Sequence, residues 1–229
     1  MKHASIILIL KKSFWIWHDY LGMLILLNIL WWLSALSIIA APPFTAAICF
    51  VADKMVHDEP VRWRHVLNGF LRFFGRGWLA VGLMGLLYLI LTANYFFYRQ
   101  FQGGLSLFGA FWVGICIWIN LIYLLQQLYL LPIIAHGDLS FWQGLKKSFL
   151  LMLDNPKTTL IMGGILTIFF LLSTISGIAP ALFSISASIV IAAMTTKETL
   201  RRYRPDCYPT APEEEETRSI KHLIRPWEN

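Results

Sequence analysis

A few side chains capable of chemistry lie within long apolar stretches of this chain. Asn120 and Gln127 are seven residues apart, so they share one face of a predicted helix, and Gln126 lies beside them. Asn28 lies in an earlier apolar run. Amide side chains of this kind can line a path for a small solute such as a sugar, or they can form hydrogen bonds between helices. Interhelical bonding is the interpretation that we favour, with the polar lining as the functional alternative.

Two histidines also precede acidic residues in similar segments. His57 stands two residues before Glu59, and His136 stands two residues before Asp138. Imidazole and carboxylate groups bind metals and respond to pH, but these pairs lie in separate loops without a recognisable ligand spacing. The sequence contains no nucleophile elbow, phosphate-binding glycine loop, zinc-protease helix or pair of catalytic carboxylates. We therefore expect no catalytic residue, no metal, no cofactor and no enzyme activity.

The composition indicates that a membrane surrounds these residues. Of 229 residues, 57% are hydrophobic and 14% are charged, whereas soluble domains contain about 25% charged residues. Several apolar runs approach the roughly 20 residues that a helix needs to cross the hydrocarbon core. We expect an all-α, polytopic membrane bundle with six transmembrane helices and two interfacial amphipathic loop helices. The predicted spans, within a single transmembrane domain of residues 1–204, are 20–41, 42–56, 78–98, 108–131, 157–176 and 178–196.

The positions of the basic residues determine the predicted topology. The run that follows Pro42 and Pro43 is shorter than the usual span of about 17–25 residues. If it nevertheless crosses and the N terminus is cytoplasmic, all but one of the 19 Lys and Arg residues lie inside, the exception being Arg99. This is the positive-inside pattern, and it predicts a bacterial inner-membrane protein with both termini in the cytoplasm. The net charge of +6 then indicates loops facing anionic lipid, and no nucleic-acid partner is expected.

Two loops on the predicted cytoplasmic side resemble each other at an offset of 79 residues, residues 57–63 with residues 136–142. Each is expected to form an amphipathic helix on the membrane surface. A genuine internal duplication would give parallel repeats about an axis along the membrane normal, as in some transporters. Chance similarity between apolar segments is the alternative. The candidate lipid or partner contacts on these helices are Trp63, Phe70, Arg72, Trp142 and Phe149.

The C-terminal segment 205–229 differs from the rest of the chain. Pro205, Pro209 and Pro212 interrupt regular structure, and an acidic run follows at Glu213–Glu216. We expect a flexible cytoplasmic tail, and a short docking helix near its end is the alternative.

Three segments resemble the YesL-like family of bacterial membrane proteins. They are Leu27-Asn28-Ile29-Leu30-Trp31-Trp32-Leu33, Pro42-Pro43-Phe44-Thr45-Ala46-Ala47 and the loop from Trp63 to Phe74. The resemblance is closest over residues 1–80. Pro42 stands where the family usually has Gly, and Phe73 stands where it usually has Asn. The family is uncharacterised, so the resemblance supplies no catalytic or binding residues and implies only a loose link to carbohydrate uptake.

The sequence and the resemblance together favour a non-enzymatic accessory or scaffold component linked to carbohydrate uptake. The expected partners are the lipid bilayer, transporter subunits or a second copy of the chain. The alternative is a small-solute permease in its own right, in which Asn120 and Gln127 line the path.

Overall fold

A computed structural model of the chain describes residues 6–37, 39–101, 107–137, 139–176 and 183–203. These residues are entirely helical outside short connections, which confirms the all-α class. The predicted tail at 205–229 and the first part of the predicted span at 178–196 lie outside the described residues. The helices are α1 (Ile6–Asp19), α2 (Leu21–Leu36), α3 (Ala41–Val56), α4 (Trp63–Arg72), α5 (Phe74–Phe101), α6 (Leu107–Gly137), α7 (Phe141–Asp154), α8 (Pro156–Ser176) and α9 (Ile185–Leu200).

Three of these helices are long and apolar enough to cross a membrane. Their apolar stretches are Phe74–Phe97 in α5, Gly109–His136 in α6 and Pro156–Ile175 in α8. They coincide with the predicted third, fourth and fifth spans. Large apolar side chains project outwards from all three, as a lipid-facing surface requires. Examples of these exposed side chains are Leu89, Trp118 and Leu172.

The predicted first, second and sixth spans are not single long helices. They contain α2, α3 and α9, which have 16 residues each, against the roughly 20 that a span needs. α1 and α2 pass the length and composition test only as a pair, and an 86° bend near Tyr20 separates them. The described residues therefore offer three membrane spans, or up to four if the bent pair is one span. The count of six stays a prediction.

α3 is the central helix of the bundle. Pro42 and Pro43 lie in its first turn, where the missing N–H groups have no helical partner to lose. Ten of its 16 residues are buried, because α2, α4, α5, α6 and α9 all pack against it. A helix enclosed by protein does not have to match the thickness of the lipid, so its short length is compatible with a membrane bundle.

The amphipathic helix α4 folds back along α3. Gly69 of α4 lies against Ala47 and Phe50 in the middle of α3. Five residues after the end of α4, the backbone at Gly77 lies against Pro42 at the start of α3. The chain therefore descends through α3 and returns through α4 to the level at which α3 began.

α7 repeats this arrangement on the last turns of α6. Gly144 of α7 lies against Ile134. Further along α7, the Leu145 carbonyl and the Ser148 hydroxyl accept hydrogen bonds from Gln126, which lies two turns earlier in α6. α7 therefore runs antiparallel to α6. The α3–α4 and α6–α7 pairs are the segments that the 79-residue offset relates, and both have this folded-back form.

α1 packs along α9 in the opposite direction. Near the end of α9, the Lys12 ammonium forms a salt bridge of 2.9 Å with Glu198. Just before the start of α9, the Phe183 ring makes an edge contact with Trp17. α1 therefore packs against α9 and α2.

Candidate functional site

The C-terminal ends of α3, α6 and α9 meet at one end of the bundle. The His136 imidazole at the end of α6 lies 3.1 Å from the Asp53 carboxylate of α3. The Lys197 ammonium of α9 donates a hydrogen bond of 2.6 Å to the Val56 carbonyl. In the predicted topology the second, fourth and sixth spans all run towards the cytoplasm. This shared end is then the cytoplasmic one.

Three side chains with metal-binding groups converge at this end: Asp53, His57 and His136. His136 Nδ1 lies 3.1 Å from Asp53 Oδ2, and His57 Nδ1 lies 3.4 Å from Asp53 Oδ1. The two imidazole rings stack with centroids 4.7 Å apart and planes inclined by 23°. One ligand atom of each residue lies within 4.8 Å of those of the other two. We refer to these three residues as the Asp–His cluster.

Helix geometry explains how the cluster forms. Asp53 and His57 are four residues apart in the last turn of α3, so their side chains share a face. His57 Nδ1 also lies 2.7 Å from the Asp53 carbonyl oxygen, which fixes the ring against the helix end. Asp58 then has a φ of 57°, in the left-handed region, and turns the chain towards α4. The exposed fractions of the side chains are 17% for Asp53, 19% for His57 and 39% for His136, so the cluster opens to the surroundings through His136.

Of the two acids that follow the histidines in the sequence, one bonds to another residue and the structure does not describe the other. Glu59 forms an ion pair with Lys54, and Asp138 lies outside the described residues. The carboxylate that joins the histidines is Asp53, which precedes His57 by one helical turn. The i, i+4 spacing of Asp53 and His57 was visible in the sequence, and it is the signal that could have identified the cluster.

Asn28 bonds to the start of α9. Its Oδ1 accepts hydrogen bonds from the backbone N–H groups of Ile185 and Ser186, at 3.1 and 3.2 Å. The Ser186 hydroxyl donates in return to the Leu24 carbonyl of α2. The N-cap residue of α9, Ser184, makes no side-chain capping bond. A residue of α2 therefore caps α9 from outside that helix.

The other predicted lining residues bond to different helices. Asn120 donates to the Leu87 carbonyl and Gln127 to the Ala80 carbonyl, both in α5, at 3.3 and 3.4 Å. Gln126 donates to α7. Together with Asn28, these amides serve three separate helix interfaces and are not gathered on one surface. Their contacts are those of interhelical hydrogen bonding, and a lining role stays a prediction.

The predicted contact residues of α4 differ in how much of each side chain is exposed. Trp63 and Arg72 are exposed. Phe70 is half-buried between the rings of Phe44 and Phe74, with ring centroids 6.4 and 5.7 Å away. Phe70 therefore packs within the protein. The exposed apolar stripe here consists of Trp63, Leu67 and Leu71 of α4 together with Phe74, the first residue of α5. We refer to it as the stripe of α4.

Both predicted contact residues of α7 lie on its outer side. Trp142 is 72% exposed and Phe149 is 40% exposed. The opposite face of α7 packs on α6 through residues such as Gly144 and Ser148. The exposed apolar stripe of α7 comprises Trp142, Phe149, Leu150 and Leu153.

Comparison of the sequence with known proteins finds similarity to an uncharacterised protein. No family model matches the chain, and no solved structure matches it. The chain is 29% identical over 142 residues to the uncharacterized protein YesL of Bacillus subtilis (strain 168). The match covers 59% of this chain and 65% of the relative, slightly less than two thirds of the relative's own length. The chain is thus a helical membrane protein similar to YesL, and this similarity confirms the resemblance to the YesL-like family.

Proposed function

We propose that the chain is a multi-pass protein of the bacterial inner membrane and a non-enzymatic accessory or scaffold component linked to carbohydrate uptake. The observation that carries this proposal is the pair of folded-back helices, α4 and α7. Each packs one face on the bundle and presents an apolar stripe away from it. A rigid bundle that displays two such stripes is suited to holding lipid or a partner helix.

Exposed basic residues accompany the stripes. Because each helix is already fixed on the protein, its stripe can enter the headgroup region without an additional cost of folding the helix. The neighbouring basic side chains would then face anionic headgroups at the cytoplasmic surface. These exposed basic residues are Arg64 and Arg72 of α4, Lys146 and Lys147 of α7, and Arg62, which immediately precedes α4.

For the membrane layout we propose six crossings with both termini in the cytoplasm. Adjacent C-terminal ends of α3, α6 and α9 are consistent with it, as with any layout that puts these three ends on the cytoplasmic side. A re-entrant segment of α1 to α3 is the alternative, and one contact favours it: Gly77 lies against Pro42 and Pro43, so α3 and α4 enter and return together. The re-entrant layout omits the first and second crossings, and removing two consecutive crossings leaves every later segment on the same side of the membrane. Both layouts therefore keep all Lys and Arg except Arg99 inside.

Thiol labelling separates these two layouts. With the six-crossing layout, Ile39→Cys, between α2 and α3, is expected to react with a membrane-impermeant maleimide in intact spheroplasts, because Ile39 is exposed at the outer end. Arg64→Cys is the control and should react only after lysis. Labelling of position 39 only after lysis would contradict the six-crossing layout. The background for both variants replaces the native thiols Cys49, Cys116 and Cys207.

Co-purification tests the accessory role. Trp63→Ala combined with Trp142→Ala is expected to abolish recovery of sugar-transporter subunits with the chain from native membranes, because it removes the largest side chain of each stripe. Trp118→Ala is the control, since the exposure of Trp118 lies between those of Trp63 and Trp142 and it belongs to neither stripe. Quantitative mass spectrometry of the purified complexes provides the measurement. Recovery that is unchanged by the double substitution would contradict the role of the stripes.

A permease is the second candidate, and one observation favours it. Polar side chains follow one another along the contact between α5 and α6, where Asn94 approaches Cys116 and where Asn120, Tyr123 and Gln127 bond to α5. Purified chain in liposomes is expected to leave radiolabelled sugars outside if the accessory proposal is correct. Sugar uptake into such liposomes, reduced by Gln127→Leu, would establish the permease instead.

A further inference from the structure

We propose that the Asp–His cluster binds a divalent transition-metal ion of the zinc class. The site consists of the Asp53 carboxylate, one nitrogen of His57 and one nitrogen of His136. The inference goes beyond the accessory role and does not depend on it, because the cluster involves neither apolar stripe.

The spacing of the ligand atoms fits a tetrahedral ion. Bonds from zinc to nitrogen or oxygen measure about 2.0–2.1 Å, which places neighbouring ligand atoms about 3.3 Å apart. The two carboxylate–imidazole separations at Asp53 are 3.1 and 3.4 Å. The remaining separation, between the imidazoles, lies within the 4.8 Å limit that all three ligand atoms satisfy. Each imidazole nitrogen therefore already lies at ligand spacing from the carboxylate, His136 Nδ1 from Oδ2 and His57 Nδ1 from Oδ1.

The kinds of ligand identify the class of ion. Two imidazoles and one carboxylate form a borderline nitrogen and oxygen set, which suits zinc, iron, cobalt and nickel better than calcium or magnesium. Three protein ligands leave a fourth position for water or another molecule. The side that opens is the His136 side, since this is the most exposed of the three side chains. The expected site is accordingly an open one, unlike the closed four-ligand sites of structural zinc.

Binding requires three adjustments: His57 Nδ1 must leave the Asp53 carbonyl oxygen 2.7 Å away, one oxygen of the Asp53 carboxylate must come within reach of both nitrogens, and the rings must tilt. The lone pair of an imidazole nitrogen lies in the ring plane, and the two rings are stacked with planes only 23° apart. The rings must tilt so that both nitrogens point at one ion. His136 is placed to make this movement because it is in the last turn of α6 and partly exposed. A nitrogen that binds the ion must carry no proton, so each imidazole binds as the tautomer whose hydrogen lies on its other nitrogen.

The neighbouring charges leave Asp53 as the anionic centre of the site. Lys54 is neutralised by its ion pair with Glu59. The ammonium of Lys197, on α9, bonds to the Val56 carbonyl and remains a positive charge near His136, which opposes cation binding. A divalent ion would join α3 to α6 at the two histidines that the 79-residue offset relates.

Metal titration of the purified full-length chain in detergent tests the proposal. The chain carries an affinity tag without histidine, is stripped with a chelator and is then titrated with Zn²⁺ by calorimetry and with Co²⁺ by visible absorption. We expect one ion per chain and the intense visible bands of tetrahedral Co²⁺. His136→Ala and Asp53→Asn should each weaken binding roughly tenfold or more, a loss produced even by removing groups that only support a ligand. His18→Ala, which alters an exposed histidine of α1, should leave binding unchanged.

A second variant distinguishes ligation from a structural role. His136→Cys replaces the imidazole with a thiolate, which is also a zinc and cobalt ligand. It should retain one Co²⁺ per chain and gain a sulfur-to-cobalt charge-transfer band in the near ultraviolet. Absence of stoichiometric binding by the unmodified chain would overturn the proposal, as would binding that survives His136→Ala. Either result would indicate that the cluster only forms hydrogen bonds that join α3 to α6.

Discussion

Gly77→Ala is expected to lower the free energy of unfolding by about 1–3 kcal/mol, the range of overpacking substitutions in close-packed interiors. A Cβ at Gly77 would lie 2.8 Å from the Pro42 carbonyl oxygen and 2.9 Å from Pro43 Cα. Both atoms belong to the backbone of the first turn of α3, so neither can move aside as a flexible side chain would. α5 must therefore separate from α3, the central helix of the bundle.

Gly75→Ala is the matched control. Gly75 is two residues away in the same first turns of α5, and no atom lies within 4 Å of a Cβ placed there. In a helix, Ala is favoured over Gly by about 1 kcal/mol, so this variant should be neutral or slightly stabilising. Unfolding of both variants is followed by SDS titration in mixed micelles. Equal stability of Gly77→Ala and the unmodified chain would contradict the close packing of α5 on α3.

The packing of other helices around α3 explains why the sequence of residues 41–77 does not by itself show whether this segment crosses the membrane. Apolar composition predicted α5, α6 and α8, because lipid-facing helices expose apolar side chains continuously over the length that hydrocarbon requires. α3 is apolar for a different reason: other helices of the protein surround it. Composition is the same in both environments, so a count of apolar residues does not distinguish a short core helix from a thin span.

The amphipathic pattern of α4 was informative in one respect and ambiguous in another. It correctly predicted a helix with an apolar stripe, and Trp63 is exposed on that stripe. It grouped Phe70 with Trp63, whereas Phe70 packs between Phe44 and Phe74. A helix between protein and lipid has two apolar faces, and periodicity alone does not assign each residue to the right one.

The Asp–His cluster shows what pairwise spacing can and cannot reveal. Asp53 and His57 are local partners, and their contact follows from helix geometry. His136 is 83 positions from Asp53, and only the packing of α3 against α6 brings these residues together. The 79-residue similarity already placed His57 and His136 at equivalent positions. The two histidines at this offset are in contact in the structure, so the offset pointed to a long-range contact that composition does not reveal.

Asn28→Ala is expected to destabilise the bundle by about 1–3 kcal/mol, the cost of leaving a buried hydrogen-bonding group unsatisfied. Asn28 is completely buried, and its Oδ1 is the acceptor for the N–H groups of both Ile185 and Ser186 at the start of α9. Alanine provides no acceptor, and the site is closed to water. The first turn of α9 should therefore fray, which heat denaturation in detergent detects as a lower midpoint.

Two comparisons decide between this capping role and the predicted lining role. Asn68→Ala changes an exposed asparagine of α4 and should leave the midpoint unchanged. Asn120→Ala removes a single bond to α5 from a half-buried residue, so its effect on stability should be smaller than that of Asn28→Ala. A solute-lining residue has the opposite signature, because its replacement alters solute movement and leaves the fold intact. Full retention of stability by Asn28→Ala would rule out the cap and return Asn28 to the lining hypothesis.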